Sequence, residues 1–421
     1  MHNIKIMNTG YWFYIEPYTF FVTESNSVLL INLLDDTIIE DHNYYVTDLI
    51  KSLTDSNNLG VTFISEEEYT KNKKFIQKLQ MYFMGDIIPI NISPKKPVQF
   101  LSQLQLNNTQ EIQEELILNT KKSLSSLLTN FFVFVDNNCK STEKVQLSYK
   151  HSCKFFDKNT ANYKKMRLSD LQSIIHILSK LPSLKNIRIT GCDNWSKKDI
   201  IWLSTMSSMF ACNIILCITL EMYNKNLALF QSIAGQDQFK IELIVDLEKE
   251  NIDISLFISS AISIWTFLVD SPRGFSKFEY LMSLEAFMPH SGNLSLIAND
   301  TNFSFVEQII FITKNDILSS TNFYSTIALN KSINSNFWGK AYVFPNGNIS
   351  LSPYTQGFHN ILEDSLDVVV DDYLKSDNFL WFQIRDNDIC NNCIFQYLCP
   401  PPSVYEKLLN KNAICFKNIS S

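Results

Sequence analysis

Residues 186–220 read NIRITGCDNWSKKDIIWLSTMSSMFACNIILCITL. Ile187 to Thr190 has the composition of a strand. Trp195 to Phe210 is predicted helical, with Ser196 placed to cap its start. Asn213 to Leu220 is a second strand, apolar at nearly every position. Continuous apolar strands separated by a helix describe a βαβ unit, in which a parallel sheet is covered by its crossover helix.

The alternation extends both ways from this unit. Upstream, Phe131 to Val135 is an apolar strand and Leu168 to Leu178 an amphipathic helix stopped by Pro182. Downstream come a helix over Asn226 to Ile233, a strand over Phe239 to Leu247 and a helix over Ile254 to Ser260. A strand over Ile262 to Val269, a helix over Gly274 to Phe287 and a strand over Leu294 to Ile297 follow. Six such units predict an α/β fold with a partial (β/α) TIM-like barrel rather than an open sheet, assigned to residues 96–329.

Residues 1–95 have a different order. Gly10 to Glu24 reads as a strand, Val28 to Leu33 as a second and Thr37 to Ile39 as a third. A helix over Asn43 to Leu53 and a strand over Gly60 to Ser65 lead to a helix from Ser65 to Met84. Its first turn carries Glu66, Glu67 and Glu68. This suits a winged-helix-like α+β domain, followed by a linker marked by Pro89, Pro94 and Pro97. Residues 330–421 lose the alternation: a strand over Trp338 to Phe344, a hairpin turn at Pro345-Asn346-Gly347-Asn348 and a helix over Asp364 to Lys375 precede a cysteine-rich end.

The composition is globular, with 45% hydrophobic and 19% charged residues in 421. Ten glycines and the lack of GxGxxG or GxxxxGK[ST] make phosphate loops unexpected. A net charge of -7 with lysines in scattered pairs forecasts no nucleic-acid partner. The apolar stretch Tyr11 to Val22 lacks the features of a secretion signal, and Leu256 to Val269 is too short to span a bilayer. A cytoplasmic protein without a membrane partner is expected. The six histidines form no HxxxH or HExxH pair, and His176 reads as a core or boundary residue.

Nine cysteines in such a chain argue against a disulfide framework. Cys212 and Cys217 read as small buried hydrophobes. The segment 388–415, DICNNCIFQYLCPPPSVYEKLLNKNAIC, is different. Cys390 and Cys393 form a CxxC loop, Cys399 follows after five residues and Cys415 after fifteen more. Four soft thiolates without a neighbouring histidine suit zinc or an iron-sulfur cluster.

The stretch from Trp338 to Cys415 resembles a SPASM domain, the C-terminal extension of radical SAM peptide maturases, through the PNGN hairpin, the HNILEDSL step and the CxxCxxxxxC triplet. The Cys399 to Glu406 run and the aromatic YWFYIEPYTFF at Tyr11 to Phe21 resemble the pseudo-radical-SAM proteins of Bacteroidales-type (GG-leader) ribosomal peptide maturation systems. The resemblance implies a partial barrel of radical SAM type between a winged-helix-like domain and a SPASM-like cysteine domain (330–421). It implies one [4Fe-4S] cluster on Cys390, Cys393, Cys399 and Cys415, with Zn²⁺ as the alternative. Ser403 stands where the family has a further cysteine, so the family's second auxiliary cluster is not expected. The partners implied are a precursor leader peptide and a radical SAM maturase. In such systems the leader adds as a strand to a recognition element; here the edge would be Thr37 to Ile39 and the groove wall Tyr69 to Tyr82.

A radical SAM enzyme of this family needs CxxxCxxC after the first barrel strand. Here DNNCKSTEKVQLSYKHSC (136–153) offers only Cys139 and Cys153, and Thr190 to Trp195 keeps the first Gly of the family's GGEP-like turn and nothing else. No S-adenosylmethionine and no catalytic residue are expected. The reading is a non-catalytic binding protein. An active radical SAM or electron-transfer maturase with unusual ligands, Cys192 joining Cys139 and Cys153, and a zinc-stapled structural protein are the alternatives.

Overall fold

The computed structural model describes residues 9–419 apart from 59, 107, 120–122, 143–164, 251, 259–260, 289, 320–321, 356 and 377–378. The aromatic stretch near the start is two strands, not one. β1 (Gly10–Ile15) and β2 (Thr19–Glu24) are separated at Glu16-Pro17 and enter different sheets. β2, β3 (Ser27–Asn32) and β4 (Ile38–Asp41) form one antiparallel sheet with β3 central. β1 pairs with β5 (Val61–Ser65) and β6 (Gly85–Pro89) to form another. The helices Tyr44–Ser52 and Glu66–Met81 pack between these sheets. Ser65 and Glu68 close a capping box on the second helix.

β3 explains how this end joins the rest. Its sequence SVLLIN is apolar on both faces, and both faces are buried. Val28 and Leu30 join Phe13, Ile39, Ile50 and Ile76 in a local core. Leu29 and Ile31, with Phe20, point the other way, into a core shared with Ile394, Phe395 and Leu398 of the cysteine segment. Helices Lys314–Leu318 and Phe323–Ser332 complete that second core through Ile317, Phe323 and Ile327.

The central sheet has nine strands. β7 (Asn130–Phe134), β8 (Asn186–Thr190), β9 (Asn213–Thr219), β10 (Phe239–Asp246), β11 (Ile264–Val269) and β12 (Ser291–Leu296) are parallel and adjacent in chain order. β13 (Lys340–Val343) adds in parallel beside β7, and β14 (Asn348–Ser350) and β15 (His359–Asn360) continue antiparallel. The fold is mixed α/β, mostly parallel at its centre. Alternate side chains separate two environments. Ile187, Ile189, Leu216, Leu243 and Phe267 pack with Ile174, Leu203 and Phe230 of the crossover helices. Phe132, Phe134, Ile215, Cys217, Ile244 and Leu268 face the opposite side.

That opposite side is concave. Asn293 and Ser295 of β12 line the same cavity as Lys340 of β13. In a flat sheet these strands, six spacings apart, would be separated by about 29 Å, so the sheet curls. Among the described residues no strand pairing joins β12 to β13. Segment 402–405 spans the gap instead. The Tyr405 hydroxyl bonds Leu296 N at 3.1 Å and Leu296 O at 3.2 Å, and Pro402 O accepts from Asn334 at 3.1 Å and Asn336 at 3.3 Å, just before β13.

Candidate metal centre

The four cysteines of the C-terminal segment arrive from three local structures. Cys390 lies on the one-turn helix Asp388–Asn391, whose cap Asn387 accepts from Ile389 N at 3.1 Å and Cys390 N at 3.0 Å. Tight turns then wind the chain, Cys393 N donating to Cys390 O at 3.1 Å and Cys399 N to Phe395 O at 3.1 Å. Asn330 pins this coil from outside, donating to Tyr397 O at 3.1 Å and Cys399 O at 2.7 Å. Cys415 returns after a loop and is held by a parallel bridge to Ile312, flanked by Ile312 N to Ile414 O and Phe416 N to Ile312 O, each 3.1 Å.

All four line one pocket with Arg385, Gln396, Phe416 and Lys417. Cys390, Cys393 and Cys399 are buried, and Cys415 is half-buried. Burial pushes the Cys399 thiol up to about 12, with the other three thiols adding to the rise and Arg385 opposing it. Burial also raises Cys390 and Cys393; Arg385 pulls Cys390 down and Lys417 pulls Cys393 down. The charges of the thiols act on one another, so these are near neighbours. They do not yet form a coordination shell, since among the described residues no group of three or more Cys, His, Asp or Glu stands in ligand geometry.

The donor set suits a soft cation. Buried thiols with raised pKa values are poor thiolates until a metal supplies positive charge, and two protein cations beside the pocket offset part of the anionic charge of four thiolates. Ser403 has its own task. It caps helix Val404–Leu408 in a capping box with Glu406.

Of the other cysteines, Cys139 and Cys192 are also near neighbours, the charge of Cys139 adding to the rise of Cys192. Cys139 follows β7 and Cys192 follows β8, both buried. Burial, then Asp136 and Asp193, raise Cys139 to about 11, and Cys192 is raised well above the ordinary range, first by burial. Cys153 lies outside the described residues. Gly191 is needed here for shape. Its φ is +89°, and a Cβ would stand 2.6 Å from the Asp136 backbone.

His176 is exposed, not in the core or at its boundary. Cys217 is buried as read, but it also donates to Glu242 Oε2 at 3.4 Å on the concave face. Arg188 and Glu242, ion-paired there at 3.1 Å, were not singled out from the sequence. Their signal was available, as charged residues at alternating positions inside otherwise apolar strands.

The features expected to frame a leader groove separate. β4 is an edge strand as read, but helix Glu66–Met81 packs on β5, β1 and β6, and the Tyr69 ring lies against Tyr11 at 4.7 Å, tilted by 40°. The β4 edge is anchored to the C-terminal side, Glu40 pairing with Lys314 at 2.5 Å and Asp36 accepting from Asn322 N at 2.8 Å and Phe323 N at 3.0 Å.

A comparison with protein-family models found no match. A comparison with curated proteins found none either.

Proposed function

We propose that this chain is a non-catalytic relative of the radical SAM/SPASM peptide maturases, built to bind a precursor peptide, a partner maturase or both, with one four-thiolate metal centre. The observation that carries this reading is the convergence of Cys390, Cys393, Cys399 and Cys415 on one pocket. The curled run of parallel strands, open between β12 and β13, is compatible with a partial barrel of radical SAM type. The resemblance favours one [4Fe-4S] cluster. A bound cluster or ion would cross-link the coil at Cys390–Cys399 to the segment at Cys415 and so stabilise a loop-rich end.

A zinc-bound form is the second reading, and one observation favours it. The residues lining the thiol pocket include four cysteines and no histidine, a donor set that also closes a tetrahedral zinc site. Anaerobic purification with iron, sulfide and zinc analysis separates the two. Unchanged metal content in a Cys393→Ser, Cys399→Ser double variant rules the centre out.

The leader is proposed to add to β4. Asn32 N donates to Thr37 O at 2.8 Å, so by antiparallel alternation Ile38 and Glu40 turn their backbone groups outward. Main-chain bonds to that edge would supply affinity. Among the described residues no helix is long and apolar enough to cross a membrane.

A further inference from the structure

Between the concave face of the sheet and residues Val404 and Tyr405 lies a cavity of about 390 Å³, within the size range of small-molecule sites. Phe132 and Ile244 supply apolar wall, and Arg188, Glu242 and Lys340 supply charge. Glu242 is occupied within the wall. It pairs with Arg188 and accepts from Thr266 Oγ1 at 2.7 Å and Cys217 Sγ at 3.4 Å. Lys340 donates to Asn336 O at 2.6 Å, and no carboxylate among the described residues acts on its charge. Burial, and then the nearby charge of Arg188, push the Lys340 ammonium below its ordinary range. Among the described residues the lining therefore carries two cations against one anion.

A second observation is independent of charge. Thr190 also lines this cavity, is 3% exposed, and its hydroxyl is buried without a hydrogen-bond partner. Such a group costs stability unless something meets it. Lys340 is in register with Asn130, and Asn130 with Asn186. Thr190 thus lies four residues further along the strand direction, roughly 13 Å, with Arg188 between. One carboxylate cannot reach both ends. The cavity also begins at Asn130 and Lys340, the first residues of β7 and β13, whereas ligand sites of parallel α/β sheets gather at the carboxyl ends. At that end Phe134 and Phe344 stack, 5.8 Å apart.

We propose that this cavity binds a small organic hydroxy acid, its carboxylate between Lys340 and Arg188, its body against Phe132 and Ile244, and its hydroxyl on Thr190. The test is calorimetric titration of the full chain with 4-hydroxybenzoate, benzoate, 4-hydroxybenzamide and inorganic phosphate. Saturable binding strongest for 4-hydroxybenzoate, weaker for benzoate and weakest for the neutral amide is expected. Lys340→Gln should weaken 4-hydroxybenzoate about tenfold, the scale of one charge-assisted hydrogen bond, while Lys340→Arg retains it. Thr190→Val should raise the thermal midpoint of the ligand-free protein and erase the preference for 4-hydroxybenzoate over benzoate. The proposal is overturned by no saturable acid binding, by equal binding of the amide, by phosphate binding as tightly, or by a lowered midpoint in Thr190→Val.

Discussion

The Arg385 guanidinium grips the Glu406 carboxylate in a two-pronged ion pair, Nη1 to Oε1 at 2.9 Å and Nη2 to Oε2 at 3.3 Å, with 5% and 6% of their side-chain surfaces exposed. Nη1 also stands 4.0 Å from Cys390 Sγ, and Nε donates to Pro400 O at 2.5 Å. One cation thus ties the thiol pocket to helix Val404–Leu408, which continues the segment across the gap between β12 and β13.

Removing Arg385 alone would leave Glu406 buried without its cation. Arg385→Ala should lower the unfolding free energy by about 3–5 kcal/mol. Replacing both partners by apolar residues of similar volume should cost far less. Denaturant titration of the single and double variants checks the order; equal losses would show that the pair is not the source.

Cys139 gives a prediction in pH. Its thiol is raised by burial, then by Asp136 and Asp193, to about 11 from 9.0. The native state holds the proton more tightly than the unfolded chain, so this contribution is full below pH 9 and is lost as pH rises towards 11. Stability should fall across that window, and Cys139→Ala should flatten the fall. Alkylation of Cys139 at neutral pH should be slow, as measured by mass spectrometry.

With S-adenosylmethionine and a reductant, the reconstituted protein should release no 5'-deoxyadenosine. Three thiolates holding a cluster leave one iron open to that substrate, and the loop after β7 lacks the spacing to provide them. Turnover above that of a Cys139→Ala, Cys153→Ala variant would sink this expectation.

Ile38→Pro tests the peptide edge. The Ile38 N–H points away from β3, so its loss should spare the β3–β4 ladder while removing one bond to an added strand. Fluorescence anisotropy with labelled precursor leader should show weaker binding to the variant at an unchanged thermal midpoint. Leader affinity identical to the wild type excludes β4 as the docking edge.

The parallel run was legible because β7, β9 and β11 are apolar at nearly every position and connecting helices are capped by residues such as Ser196, with Asp199 completing the box. The start of the chain was harder. Tyr11 to Phe21 is aromatic almost throughout, which hides the turn at Glu16-Pro17 that sends β1 and β2 to different sheets. β6 went unread because Pro89 looked like a linker, yet a proline is tolerated at the end of an edge strand. The thiol cluster was legible from spacing alone. Arg385 and Glu406 were not, since their importance comes from partners distant in sequence. Helices Lys314–Leu318 and Phe323–Ser332 were also unread, although they cover the second face of β3.

That shared face of β3 matters on the ribosome. Leu29 and Ile31 leave the exit tunnel early, but their cover, Ile394 to Leu398, is made more than 350 residues later. At about 5–20 residues per second, a growing chain carries this greasy surface without that part of its cover for roughly 20 to 70 seconds. Synthesis that stops before the cysteine segment leaves the sheet sheltered only in part, by Leu104, Ile317, Phe323 and Ile327, a ready substrate for quality-control proteases.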